Sequence, residues 1–306
     1  VNAKLARFAW FAVCYNVVVI LWGAFVRATG SGAGCGAHWP LCDGTIVPRD
    51  PSTAMMIEFS HRVSSGLALV VVVILFVWVR RAVAAGTPAR RAAAASLAFI
   101  ITEALLGAAL VLFRLVAQDE SLARAMVMPL HLANTLVLLL CLTLTAHWLS
   151  GGAPVRFSGR TRVFGLAIAM LVLVIGVGKT GAVAALGDTL YPASALSEGL
   201  RADISPAGSL LLRLRVLHPA LALVTAVVLL FGLTALRVPA TDGRGQLAKR
   251  SVYALTVVQV IFGFVNIWLL APVWAQLVHL LLADLLWIAL VLTVVSALAD
   301  PAQTSG

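Results

Sequence analysis

Long apolar runs alternate with short polar breaks along the chain. Eight of these runs approach the roughly 20 residues a helix needs to cross a bilayer. They fall at 8–27, 59–79, 92–113, 128–149, 163–180, 212–235, 251–270 and 276–298. Glycine and proline mark most of the breaks, and the tightest, around Pro272, joins the last two runs. Two breaks are long, at 28–57 and 181–211. The predicted fold class is all-α integral membrane, with eight transmembrane helices. The first run is read as a permanent span, because it is long and no small-residue cleavage site clearly follows it.

Composition strengthens this reading. Of 306 residues, 61% are hydrophobic and 11% charged, against about 25% charged in a soluble domain. The net charge of +10 does not point to nucleic acid, because no helix or arm is basic along its length. The basic residues instead cluster between spans. Lys4 and Arg7 precede the first. Arg80, Arg81, Arg90 and Arg91 lie between the second and third, and Arg156, Arg160 and Arg162 between the fourth and fifth. Arg237, Arg244, Lys249 and Arg250 lie between the sixth and seventh, with Asp242 as the one acid on that side. The opposite loops mix basic residues with Asp43, Asp50, Asp119, Glu120, Asp188, Glu198 and Asp203. The positive-inside rule places both termini in the cytoplasm of a cell membrane and the two long loops outside.

Cys35 and Cys42 share the first outer loop, seven positions apart in GCGAHWPLC. Outside the cytoplasm they are a candidate disulfide; free thiols, or half of a metal site with His38, are the alternatives. Cys14 and Cys141 fall inside spans as small packing residues.

The chain reads as duplicated. LLGAALVLFRL then PLHLANTLVLLL in spans three and four parallels VIFGFVNIWLL then QLVHLLLADLLW in spans seven and eight. EFSHRVSSGLALV in span two parallels RVLHPALALVTAV in span six. The grammar predicts two pseudo-symmetric four-helix bundles of parallel topology. Every even-numbered span then carries a histidine near its outer end: His61, His131, His218 and His279. An ionisable residue at that depth is a functional candidate. Two imidazoles facing each other across a bundle suit the axial positions of a haem iron, giving one pair from His61 and His131 and another from His218 and His279. Zinc fits less well, since no further cysteine or carboxylate completes four ligands. Arg62, Arg213 and Arg215 lie at heights suited to haem propionates. His38, in the loop, and His147, near the inner end of span four, are read as ordinary polar residues.

The halves differ. Glu58 precedes His61 by three residues and shares its helix face, whereas no acid occupies the corresponding place before His218. The first half is therefore the candidate for chemistry, and the second for a permanently bound, electron-carrying haem. Glu58 is a proton donor or acceptor, an anchor for a substrate group, or a solvated surface carboxylate. Glu103 and Asp284 are further acids within spans, able to hydrogen-bond inside the bundle or to take part in proton movement, and neither is assigned a catalytic role.

WGAFVRATGSGAGCGAHWPLCDG and IEFSHR resemble the first outer-loop signature and the Glu-x-x-His-Arg motif of bacterial haem A synthases. GAVAALGDTLYPA and VNIWLLAPVWAQLVHLLLADLLW resemble the family's second outer loop and last two helices. The resemblance implies conversion of haem O to haem A for terminal oxidases, by oxidation of a methyl substituent to a formyl group. It implies residues 1–150 as a bundle holding the substrate haem on His61 and His131, with Glu58 important for the reaction. It implies residues 151–306 as a bundle holding haem b on His218 and His279. Cys35 and Cys42 match the family's loop pair. Two departures stand out. The second long loop lacks the cysteine pair of some members, and Pro219 follows His218 where an arginine is common.

The chemistry expected is hydroxylation of the methyl, twice, with loss of water from the geminal diol. Such oxidations need an acceptor, here an unknown electron-transfer partner, or an oxygen-activation route, and the sequence shows neither; no flavin or nicotinamide fingerprint is visible, since GSGAG opens a loop after a membrane helix and lacks the strand–turn–helix context. Haem O synthase is a further candidate partner, and the lipid bilayer is the surroundings. The rival readings are a di-haem, bis-histidine electron-transfer cytochrome, a transporter and a structural assembly factor. Glu58, the unequal halves and the loop signature argue against the cytochrome, and the outer-leaflet placement of the polar residues argues against the transporter.

Overall fold

Side-chain caps start several of the helices. Asn2 accepts from the Lys4 amide, Ser52 from Met55, Ser121 from Arg124 and Asp242 from Gly245. Each satisfies an N–H that the first turn leaves without an intrahelical partner. The structure is a computed structural model that describes residues 2–155, 161–205 and 209–299. Arg156 and Arg160, counted above among the inner-loop charges, lie outside the described residues. The helices are α1 (Ala3–Ala28), α2 (Thr53–Ala82), α3 (Pro88–Leu112), α4 (Leu122–Leu149), α5 (Thr161–Leu190), α6 (Leu196–Ile204), α7 (Leu210–Arg215), α8 (Leu217–Ala235), α9 (Gly243–Trp268) and α10 (Val273–Ala297). A 3-10 turn, Ser31–Ala33, follows α1.

Among the described residues, eight segments are long and apolar enough to cross a membrane: α1 to α5, α7 with α8 together, α9 and α10. The chain is a multi-pass membrane protein. Apolar side chains on the outer faces, such as Leu105, Val224, Phe231 and Ile261, are exposed, as surfaces turned toward lipid are. Buried hydroxyls of Ser96, Thr145, Thr256 and Thr293 donate to the carbonyl four residues back, so they leave no orphaned donor in an apolar setting.

The helices outrun the hydropathy. The second span starts at Thr53 rather than 59, and the seventh at Gly243 rather than 251. The fifth continues to Leu190, ten residues past the apolar run. Backbone hydrogen bonding does not stop where a helix leaves hydrocarbon, so polar residues such as Lys249 or Asp188 extend a helix that hydropathy ends. The second long loop is correspondingly shorter than 181–211 and holds α6. The sixth span is broken at Val216, between α7 and α8. Pro219 explains the break: it has no N–H for the Arg215 carbonyl, and its ring crowds that carbonyl.

Helices α1 to α4 pack in a ring, and α5, α8, α9 and α10 pack in another; α1 and α4 of the first meet α5 and α10 of the second. Small residues permit the close approach that holds membrane helices together: Ala9 and Ala12 on α1, Ala89 and Ala93 on α3, and Ala146 on α4 are all buried. Trp287 of α10 is fully buried and donates its indole N–H to the Leu136 carbonyl of α4 at 2.8 Å. Cys141 is buried, as expected of a packing residue, but Cys14 is not: it lies on the outward face of α1.

Candidate functional site

The four singled-out histidines sit at the end of the molecule where α2, α4, α8 and α10 begin, and each faces a glycine of the preceding span. A Cβ on Gly23 of α1 would lie 3.0 Å from His61 Cε1, and one on Gly181 of α5 would lie 3.0 Å from His218 Cε1. One on Gly263 of α9 would lie 3.3 Å from His279 Cε1. Gly107 of α3 gives an ordinary contact, 3.9 Å from His131 Cε1. Three of the four clearings thus admit a hydrogen and little more. This pairing escaped the sequence reading, although a glycine in the preceding apolar span was part of the repeat it described.

The rings of His218 and His279 have centroids 6.2 Å apart and planes at 89°. Two imidazoles on opposite sides of one metal, with bonds of about 2 Å, would have ring centres about 6 Å apart. His218 Nδ1 lies 3.2 Å from the Val177 carbonyl, which occupies one nitrogen and leaves the other for a ligand. Gln259 donates to the His279 carbonyl at 3.1 Å and lies 3.4 Å from its Nε2. Phe262 stacks on the His279 ring at 6.4 Å. In the first half, His61 and His131 lie within electrostatic range of each other and of Glu103 and Arg62. His131 Nδ1 is 3.2 Å from Glu103 Oε1, a charge contact that lacks hydrogen-bond alignment.

The Nδ1 atoms of His61, His131 and His279 are buried without a hydrogen-bond partner among the described residues. Unpartnered buried nitrogens and glycine clearings within apolar helix walls fit a flat apolar group ligated from both sides. Among the described residues, no cluster of three or more His, Cys, Asp or Glu forms an alternative metal site.

Around the first pair, polar groups are fully engaged. Cys35 and Cys42 form a disulfide, with Cα atoms 4.5 Å apart. Glu58, 3% exposed, accepts from the Cys35 amide at 2.8 Å and from Arg62 Nη2 at 2.5 Å and Nε at 3.1 Å. Arg62 Nη1 donates to the carbonyls of His38 and Leu41, each at 2.5 Å. Glu58 and Arg62 therefore clamp the disulfide loop over the start of α2. A Cβ on Gly34 would meet the Ala54 backbone at 2.5 Å, which accounts for the glycine-rich run without any nucleotide.

The equivalent place in the second half, three residues before His218, is Arg215. It pairs with Asp188 at 2.7 Å and Asp203 at 2.5 Å. The charge is inverted and the loop is again closed, here by an ion cluster binding α6 to α5 and α7. Of the three arginines offered above to propionates, Arg62 and Arg215 thus bind protein groups, and Arg213 is exposed.

Sequence reasoning passed over Arg27, one turn after Gly23. It donates to the Ala185 carbonyl and Thr189 Oγ1 of α5 and to Gln276 Oε1 of α10, all at 2.7 Å. The signal was an arginine inside the VRATG end of the first span. Arg124 is likewise buried and donates to the Ala117 and Asp119 carbonyls. Asp284 is fully buried, and neither carboxylate oxygen has a hydrogen-bond partner among the described residues.

Fold and site together define a polytopic α-helical membrane protein with two pairs of histidines at one end of its helices. The family COX15-CtaA, described as cytochrome oxidase assembly protein, matches residues 6–291, and the chain belongs to that family. It is 46% identical over 303 residues to a Thermus thermophilus protein named protohaem IX farnesyltransferase, covering 98% of this chain and 50% of that protein. It is 34% identical over 189 residues to a haem A synthase of Symbiobacterium thermophilum, covering 58% of this chain and 59% of the relative. It is 31% identical over 177 residues to a haem A synthase of an Exiguobacterium species, covering 56% of each. The chain spans about half the length of the Thermus relative.

Proposed function

We propose that this chain carries haem A synthase activity, oxidising a methyl group of haem O to a formyl group to give haem A for terminal oxidases. The observation that carries the reading is a pair of histidine sites with unequal surroundings, in a chain of a cytochrome oxidase assembly family with relatives named haem A synthase. Residues 1–150 form the substrate half, in which His61 and His131 hold haem O. Residues 151–306 form the half that holds haem b on His218 and His279. A bis-histidine haem supplies one-electron transfer when bound.

The chain's own residues do the rest. Gly23 and Gly107 leave room for the imidazoles of His61 and His131. Glu58 and Arg62 hold the disulfide loop over the first site, which limits water at the reacting edge. Glu58 is placed to steady this mouth, and with His61 and His131 it forms the catalytic set. Arg213, exposed and close in sequence to His218, serves the propionates of the second half. The protein lies in the cell membrane with both termini cytoplasmic, takes electrons to or from a separate partner, and receives haem O from its synthase. The Thermus relative's name, protohaem IX farnesyltransferase, is that of a haem-farnesylating enzyme, which supports such a coupling of supply and consumption.

The test is haem extraction and chromatography from cells that make haem O, with and without this protein. Haem A should appear with it and vanish with His61→Ala and Glu58→Ala. Recovery of only unaltered haem, from a protein with a low-spin bis-histidine spectrum and its redox partner present, would replace the synthase by an electron-transfer cytochrome.

A further inference from the structure

The glycines that face the histidines align the two halves residue by residue. Gly107 of α3 faces His131 and Gly263 of α9 faces His279. Four residues before each glycine, one turn back on the same face, stand Glu103 and Gln259 respectively. Both contact the histidine of the following helix: Glu103 Oε1 is 3.2 Å from His131 Nδ1, and Gln259 Nε2 is 3.4 Å from His279 Nε2. The same position thus carries a carboxylate in one half and its uncharged isostere in the other.

Glu103 is also the more firmly held. Asn134 Nδ2 donates to Oε2 at 2.5 Å, and the Thr135 hydroxyl donates to Oε1. Thr102 in turn donates to Asn134 Oδ1 at 2.6 Å, and Asn134 donates to the Phe99 carbonyl at 3.0 Å. A carboxylate surrounded by donors is fixed in place as an acceptor. A carboxylate behind a ligating imidazole sets the ring's tautomer and orientation and strengthens it as a donor to the metal.

We propose that Glu103 is the positioning residue that makes the first histidine site unlike the second. Its carboxylate sets a negative charge beside that ligand, where His279 meets only the neutral amide of Gln259. The inference rests on the reading of both pairs as haem sites. The added negative charge favours oxidised iron, so the haem on His61 and His131 has the lower reduction potential of the two. Electron flow between the sites then has a direction set by one side chain.

The experiment is a spectroelectrochemical titration of the purified protein with haem bound at both pairs. The first-site wave is identified as the one lost in His61→Ala. Glu103→Gln should raise the potential of that wave and leave the other in place, while Glu103→Asp keeps the wild-type order. Gln259→Glu should lower the second wave. A first-site haem whose potential and spectrum are unchanged by Glu103→Gln overturns the proposal. Gln259 shows that an amide fits at this position; should Glu103→Gln still fail to accumulate, an unmoved second wave in Gln259→Glu overturns it instead. Haem absent from the first pair of the wild-type protein would overturn the functional reading itself, and this inference with it. Unchanged potentials in a protein that still makes haem A overturn the inference alone.

Discussion

A glycine contributes here by what it leaves out. With a Cβ placed 3.0 Å from the imidazole at Gly23 or Gly181, an alanine requires the ring to give way, and overpacking of this kind costs about 1–3 kcal/mol. Gly23→Ala should therefore leave the protein folded but displace His61. In the purified variant, absorption should report loss of haem from the first pair with the second retained. Gly107→Ala, where the contact is 3.9 Å, should be milder. The histidines themselves were legible in the sequence because a polar residue recurring at one depth of a repeat stands out against apolar runs. Their glycine partners were not, since glycine is common in membrane helices for many reasons, and only geometry tells which one meets a ring. Glu58 was legible as a residue sharing a face with His61. Its loop partner was not, because the Cys35 amide depends on how a loop folds back; Arg62, four residues on along the same helix, lay within reach of helical spacing.

Among the elements, the second outer segment shows what hydropathy passes over. The apolar signal ends near residue 180, yet α5 runs to Leu190 and is followed by α6 and α7. Their polar residues are matched to one another rather than to lipid. Arg215 joins Asp188 of α5 to Asp203 of α6, and Glu198 of α6 accepts from the amide and hydroxyl of Ser194, just before that helix. Hydrogen bonds to charged groups contribute roughly 1.5–3 kcal/mol each, and the Arg215 cluster is only partly shielded, so the lower end applies. Arg215→Ala should free α6 while the membrane spans hold. The expected outcome is faster hydrogen exchange and proteolytic cleavage across 191–209, with unchanged protection in α9 and α10. Equal protection in variant and parent would show that α6 is held by its apolar contacts instead. Pro219 was legible as a departure. Its consequence, a helix broken just before a candidate ligand, follows from proline chemistry alone.

At the scale of the molecule, eight spans were readable because length and apolarity suffice. How the two rings of helices meet was not, since membrane helix contacts rest on small residues and scattered polar bonds that leave little periodic trace. Two such bonds stand out across this contact: the Trp287 indole on the Leu136 carbonyl and Arg27 on α5 and α10. Arg27 lies one turn from Gly23, and its acceptor Ala185 lies one turn from Gly181. Its acceptor Gln276 precedes His279 by three residues. One guanidinium therefore ties both histidine sites to a common frame. Arg27→Gln should lower the melting temperature in detergent, whereas Arg7→Gln, whose exposed side chain reaches only the Ala3 carbonyl of its own helix, should not. Equal melting of the two variants would remove Arg27 from this role.

The two outer loops are fastened by different chemistries: Cys35 with Cys42 over the first site, and Arg215 with two aspartates beside the second. Reagents divide between them accordingly. A thiol reductant severs the disulfide and leaves the second fastening untouched, while acid strong enough to neutralise carboxylates loosens the second together with the Glu58–Arg62 clamp and spares the disulfide. Surroundings that turn reducing would thus loosen the loop over the start of α2 and keep the segment beside His218 closed, so the same stress reaches the two halves unequally.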